Sequence, residues 1–270
     1  MKRYCPQSFL LPFTEKKIMD MLSIKNVSLC YQTPEGETDA LKNVSLDVKQ
    51  GEFVSLVGPS GCGKTTILSL IAGLIRPTEG KIFVDGKSVD GKAGCDVGYM
   101  LQRDQLFEWR TIRDNVMLGL EIQKKKTAEN VEYAENLLIK YGLKDFFKHY
   151  PGELSGGMRQ RVALIRTLAF RPKILLLDEP FSALDFQTRL SVCDDVFAII
   201  RQEKKTAVLV THDISEAVSM SDRVVVLSPR PASVKNIFTM DINAPTPLKR
   251  REDPGFSAWF DKIWSEVCVK

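Results

Sequence analysis

Gly58-Pro-Ser-Gly-Cys-Gly-Lys-Thr65 sets three glycines, a lysine and two hydroxyls within eight residues, a spacing suited to an anion built of phosphates. Glycines let the backbone curl until several N–H groups converge on phosphate oxygens, and a helix starting at the end of the loop adds the positive end of its dipole. Lys64 supplies a point charge for the outer phosphates. Thr65 offers the hydroxyl oxygen that Mg²⁺, a hard cation, prefers. The cradle therefore comprises Gly58, Pro59, Ser60, Gly61, Cys62, Gly63, Lys64, Thr65 and Thr66. A flexible glycine loop without a ligand is the plainer alternative. The position of the pattern, after the apolar run Phe53 to Val57 and before the helical pattern Thr65 to Leu74, argues against it.

Ile174-Leu-Leu-Leu-Asp-Glu-Pro180 is an apolar run that ends in two adjacent carboxylates. Successive strand residues point to opposite sides, so the two acids are expected to take different tasks. Asp178 is assigned to Mg²⁺, and Glu179 to orienting and polarising an attacking water, because phosphoryl transfer depends chiefly on positioning and electrostatic stabilisation. Two solvated acids in a turn would be the alternative. Further along the chemistry, Leu154-Ser-Gly-Gly-Met158 places a Ser155 N-cap before Gly156 and Gly157, whose backbone N–H groups make a second anion site at a helix start.

Leu154 to Met158 followed by Arg159-Gln-Arg161 resembles the signature of the ATP-binding-cassette family, and further elements of that family follow in order from Leu22 to Leu227. The resemblance implies ATP and Mg²⁺ as ligands and a P-loop NTPase core of the α/β class, with an antiparallel β subdomain and an α-helical subdomain. It also implies a head-to-tail dimer, in which Ser155, Gly156 and Gly157 of one copy close over the γ-phosphate held by the other. Tyr31 resembles the aromatic residue that stacks on adenine, against the alternative of a packed strand residue. Gln102 resembles the glutamine that approaches Mg²⁺ and the water. Ser182-Ala-Leu-Asp185 resembles the loop that communicates between the two sites, with Asp185 near the nucleotide. His212, in Val210-Thr-His-Asp213, resembles the switch histidine near the γ-phosphate, against the alternative of a satisfied surface histidine. Lys64, Gln102, Glu179 and His212 thus form the expected catalytic set; Thr65, Gln102 and Asp178 form the expected metal set.

Met158 stands where many relatives carry glutamine, a change found among importers of nitrate, sulfonates or taurine. Phe107-Glu-Trp-Arg-Thr-Ile-Arg-Asp-Asn115 and Leu227-Ser-Pro-Arg-Pro231 also resemble that branch. It implies a separate permease, indirectly a solute-binding protein, and a peripheral place on the cytoplasmic face of the cell (inner) membrane. Trp109 is the expected anchor for a permease helix. An exporter motor would share every catalytic residue. A soluble relative acting on nucleic acid would carry long coiled-coil insertions or two cassettes, whereas 90 residues separate Lys64 from Ser155.

These residues need a scaffold, and its elements are partly visible. Leu22 to Cys30 and Ala40 to Val48 alternate as a strand pair joined through a loop at Thr33 to Glu37; residues 111 to 141 look helical with interruptions at Asn115, Gly119 and Thr127. A helix from Ser155, the strand Ile174 to Leu177, a helix from Phe186 to Arg201 and strands Ala207 to Val210 and Val224 to Leu227 alternate as in a parallel sheet. The expected organisation is a tail over 1–21, a nucleotide-binding unit over 22–230 with its helical part at about 103–170, and an extension over 231–270 bearing an amphipathic helix. That helix's Phe256, Trp259, Phe260, Ile263 and Trp264 are expected to pack back on the domain, the alternative being a partner or membrane. Thirty-eight basic against 34 acidic residues is a near-balance that argues for neither nucleic acid nor a membrane surface. Six scattered cysteines lack metal-ligand spacing, and no apolar run reaches the roughly 18 residues that span a bilayer.

Overall fold

The computed structural model describes residues 20–34, 36–91, 94 and 96–268, so the expected tail falls outside it except for Asp20 and Met21, which open the first strand. The chain begins with two long strands, β1 (Asp20–Thr33) and β2 (Gly36–Lys49), then a short one, β3 (Phe53–Val57), and the helix α1 (Lys64–Ile71). Three strands follow: β4 (Glu79–Val84), β5 (Lys87–Ser88) and β6 (Val97–Met100). The helices α2 (Ile112–Ile122), α3 (Ala128–Lys140) and α4 (Gly156–Ala169) come next. Strand and helix then alternate through β7 (Ile174–Asp178), α5 (Phe186–Gln202), β8 (Thr206–Val210), α6 (Ile214–Met220) and β9 (Arg223–Leu227). The chain closes with β10 (Val234–Thr239), α7 (Pro247–Arg251) and α8 (Gly255–Cys268).

The strands form two sheets, a four-stranded antiparallel one ordered β2-β1-β4-β5 and a six-stranded one ordered β10-β9-β3-β8-β7-β6. In the larger sheet β3, β8, β7, β6 and β9 run parallel, and only β10 returns antiparallel to β9. Every residue of β3, β7 and β8 is buried, which explains why these strands read as unbroken apolar runs. Burying each such valine, leucine or isoleucine stabilises the fold by roughly 1.5–3 kcal/mol relative to leaving it exposed. Strand β3 lies between β8 and β9, so connections leave it toward both halves of the sheet. The crevice at the carboxyl end of such a strand is where open α/β sheets bind ligands. Register sets Leu56 of β3 and Asp178 of β7 both opposite Val210 of β8, so three strands end at one level.

The antiparallel sheet packs with α1 on one face of the core sheet, around Leu22, Ile24, Leu41, Leu68 and Ile82. On the other face α2, α3, α4 and α5 share a cluster that includes Ile112, Met117, Leu138, Ile165 and Phe181. The helical stretch breaks once, between Ile122 and Ala128, where Thr127 caps α3. Asn115 and Gly119, expected as interruptions, lie inside α2. The Asn115 carboxamide is fully buried, accepts from the Phe107 N–H at 2.8 Å and donates to carbonyls of the 107–111 loop, including Phe107 O at 3.1 Å. Gly119 gives room to Phe170, whose ring lies 2.8 Å from where a Cβ would stand. Asn115→Ala is expected to destabilise the protein by about 2–3 kcal/mol, because buried groups of the loop lose their partners; urea unfolding measures the effect.

The loop expected at Thr33 to Glu37 is tighter than the sequence indicates, since Thr33 ends β1 and Gly36 already opens β2 at φ +130°. The amphipathic C-terminal helix packs back on the domain as expected. Ile263 is fully buried among Val224, Val226, Ala217 and Phe238, with Phe256, Trp259 and Phe260 around it; Trp264 remains 53% exposed. The boundary expected at 230 falls within the β9–β10 hairpin, so β10 belongs to the core sheet. Among the described residues no helix is long and apolar enough to cross a membrane.

Candidate functional site

Strand β3 delivers Gly58 into a curled loop that ends at Gly63, the residue before α1. Gly63 has φ +116°, and a Cβ there would stand 2.9 Å from Leu41, so a side chain is excluded on both counts. Each of α2 to α7 has a side-chain cap, supplied by Thr111, Thr127, Ser155, Asp185, Asp213 and Thr246. α1 has none and no acid in its first turn. Its leading N–H groups are therefore left for a ligand, and the dipole selects an anion.

A cavity of about 540 Å³ opens at this helix start, lined by Ser60, Gly61, Gly63, Lys64, Thr65, Thr66, Glu179 and His212. Six of the nine expected cradle residues thus face it. Gly58 and Pro59 act from behind, their carbonyls accepting from the Lys64 ammonium at 2.8 and 3.0 Å and folding that side chain over its own loop. Cys62 does not face the cavity. Its thiol is buried in the core beneath the loop, and that burial pushes it above the ordinary thiol range.

Asp178 ends β7 and is 7% exposed. One carboxylate oxygen accepts from the Thr65 hydroxyl at 3.1 Å and the other from the Tyr99 phenol at 3.1 Å. Burial raises the carboxyl above its usual range, aided by neighbouring Glu179 and opposed by the bonds from Thr65 and Tyr99 and by the Lys64 charge. Glu179 separates from Asp178 by a different route than strand alternation. The strand has already ended, and Glu179 takes the left-handed conformation, φ +45°, with its N–H donated to Val210 O at 2.9 Å. Such strain in a non-glycine residue persists where surrounding structure over-determines it, commonly at active sites. The turn sends the Glu179 carboxylate to His212 Nδ1 at 3.2 Å and Gln102 Nε2 at 3.4 Å.

The structure therefore joins two adjacent groups at the open end of α1. Thr65 and Asp178 form an oxygen pair beside the phosphate loop. Mg²⁺ fits such a pair, since it is held by one or two protein oxygens plus phosphates and water. Glu179, Gln102 and His212 form the second group, suited to orienting a water. Gln102 was expected in both; its amide bonds Glu179 and Ser182, at 3.4 and 3.3 Å, and no hydrogen bond joins it to Thr65 or Asp178. Tyr31 stands at the rim, 37% exposed, its hydroxyl 3.4 Å from Thr66 Oγ1.

Two expected pieces lie elsewhere. Ser155 caps α4, accepting from the Met158 N–H at 3.3 Å, and with Gly157 lines a separate cavity of about 300 Å³. Gly157 packs α4 against α5, since a Cβ there would stand 2.8 Å from Val192. Asp185 caps α5 through the Thr188 N–H at 3.0 Å; hydrogen bonding from the Thr188 side chain, and next from that N–H, holds its carboxyl below the usual range, and it does not line the phosphate cavity. Two features went unread. Tyr99 sits on a short strand without an alternating pattern. Beside His212 in the chain, the Thr211 hydroxyl donates to the buried Glu216 carboxyl at 2.6 Å and accepts from the Asp213 N–H at 3.0 Å, while Asp213 caps α6; the Asp213-x-x-Glu216 spacing is the available signal.

An uncapped helix after a glycine loop, with paired acids at the end of a neighbouring parallel strand, defines a nucleoside-triphosphatase of the P-loop class. The family model described as ABC transporter matches residues 41–182, and the chain belongs to that family: it is an ABC-type ATPase that binds and hydrolyses ATP. It is 48% identical to an uncharacterised ABC transporter ATP-binding protein of Bacillus subtilis (strain 168), over 92% of this chain and 96% of that one. It is 42% identical to the nitrate import ATP-binding protein NrtD of Synechocystis sp. (strain PCC 6803), over 90% and 94%. Among solved structures, a dimeric form of the bacterial ABC transporter cassette MJ0796 matches with TM-score 0.69 and 35% identity, covering 82% of this chain and 99% of that one.

Proposed function

We propose that this ATPase is the motor of an importer, in which two copies close head-to-tail around ATP and Mg²⁺ and drive a separate permease. The observation that carries this reading is the separation of Ser155 and Gly157 from the phosphate cavity of their own chain. Ser155 caps the Met158 N–H, and the remaining N–H groups of this second helix start, which lines a cavity apart from the chain's own phosphate site, suit the γ-phosphate of a partner copy. In each half Lys64 holds the outer phosphates, Thr65 and Asp178 hold Mg²⁺, and Glu179 activates the water with Gln102 and His212 beside it. Bound Mg²⁺ would neutralise charge developing on the transferred phosphoryl group. Tyr31 stacks on the base, and Asp185 adjoins the second site across the interface. Residues 22–230 together with β10, which completes the core sheet, form the nucleotide-binding unit, with 103–170 as its helical, permease-facing part. The dimeric neighbour supports the pairing of two copies, and the nitrate-importing relative supports import. The assembly sits at the cytoplasmic membrane face, where a solute-binding protein delivers a small solute of the nitrate, sulfonate or taurine type.

The permease surface centres on Trp109, 74% exposed and stacked on Phe107 at 4.8 Å on the loop that Asn115 secures. An exposed aromatic on a braced loop is a suitable anchor for a partner helix. Trp109→Ala is expected to leave ATP hydrolysis by the free chain unchanged and to abolish solute-stimulated hydrolysis in the complex reconstituted with its permease and binding protein. Full stimulation in that variant would remove the docking assignment. A complex whose hydrolysis ignores nitrate, sulfonates and taurine would remove the solute class.

A further inference from the structure

We propose that Tyr99 is a positioning residue for the cation, fixing the Asp178 carboxylate through its phenol; this rests on the reading that Asp178 serves Mg²⁺. The arrangement follows from register. Tyr99 of β6 lies opposite Leu176 of β7, and Leu176 and Asp178 are two apart, on one face of the sheet. The Tyr99 ring packs with Leu176 in the cluster beneath α1, and its hydroxyl emerges at Asp178 Oδ2, 3.1 Å away. Ser69 of α1 faces the same phenol oxygen.

Thr65 donates to Oδ1 and Tyr99 to Oδ2, so the carboxylate is held at both ends and its plane is set. With one hydrogen bond alone it would be free to turn about that bond, and the oxygen facing Thr65 would no longer be fixed. Partners behind metal ligands act in this way, and their loss typically costs about 10- to 100-fold in metal affinity. Packing alone does not account for the hydroxyl, because phenylalanine would fill the same apolar face. β6 ends at Met100 and the chain reaches Gln102 two residues on, so one short stretch of chain serves both groups of the site.

The test compares wild type, Tyr99→Phe and Asp178→Asn as full-length chains, with folding checked by far-UV circular dichroism. Protein is held in excess over ADP, Mn²⁺ is titrated, and unbound Mn²⁺ is read from its EPR spectrum. Fluorescent ATP is titrated separately in EDTA. Tyr99→Phe is expected to weaken Mn²⁺ binding by about tenfold, Asp178→Asn at least as much, with metal-free ATP affinity unchanged in Tyr99→Phe. Weakening in Asp178→Asn but not in Tyr99→Phe would overturn the positioning role alone. Unchanged Mn²⁺ binding in both would overturn the cation role of Asp178 and the inference with it. Loss of metal-free ATP affinity in Tyr99→Phe would assign the phenol to the loop instead, and would also overturn the proposal.

Discussion

Glu179→Gln is expected to lower ATP turnover by about 10²- to 10⁴-fold, the contribution of a positioned general base, while ATP binding is retained. Glutamine keeps the length of the side chain and its reach toward Gln102 and His212, 3.4 and 3.2 Å from the native carboxylate. It cannot accept the proton of an attacking water. Removing a negative charge from a cavity built for phosphates does not oppose nucleotide binding. Phosphate release gives the turnover, and titration of fluorescent ATP gives the affinity. Turnover within threefold of wild type, where a base contributes about 10² or more, would take the role from Glu179.

Lys64→Ala acts one step earlier. The ammonium is nearly buried and bonds the carbonyls of Gly58 and Pro59, so its removal takes a charge from the phosphates and also loosens the loop that presents the N–H groups. Hydrogen bonds to charged groups contribute about 1.5–3 kcal/mol, and ATP affinity is therefore expected to fall by about 10- to 100-fold, with turnover lost. ATP binding to the native state raises the melting temperature of wild type by mass action. At the same ATP concentration the Lys64→Ala chain is expected to show little or no shift. Arginine should not rescue it, because a planar guanidinium is a poor replacement for a compact ammonium enclosed by two carbonyls.

The parts of the site legible in the sequence are those where chemistry constrains residue type at short spacing. The loop at Gly58 to Thr65, the acids at 178 and 179, and the buried runs of β3, β7 and β8 all declare themselves locally. What escaped depends on contacts distant in sequence. β4 and β6 are short, and β4 begins with three exposed residues, so neither shows a clear period; yet β6 supplies Tyr99. β10 buries only Phe238, as suits the edge strand of its sheet, and its pairing with β9 carries the core past the boundary expected at 230. Asn115 was misread because asparagine is a poor helix former in isolation, a preference that its buried bonds to the 107–111 loop override. The left-handed turn at Glu179 has no signature at all, since glutamate rarely adopts it. The parting of Asp178 from Glu179 was foreseen, but for the wrong geometric reason.

The central claim is that each ATP site is completed by Ser155 to Gly157 of a second copy, and sedimentation velocity of the Glu179→Gln chain tests it most directly. That chain is expected to bind ATP and to consume it about 10² or more times slower than wild type, so a closed dimer should persist. Ser155→Asp makes the paired control: aspartate preserves the N-cap of α4 while setting a carboxylate where a partner's γ-phosphate would approach. The expected result is a monomer without ATP, a dimer with ATP and Mg²⁺, and a monomer under the same conditions once Ser155→Asp is added, with ATP affinity of the monomer intact. A Glu179→Gln chain that remains monomeric when saturated with ATP, or that dimerises equally well with Ser155→Asp, would contradict the composite site.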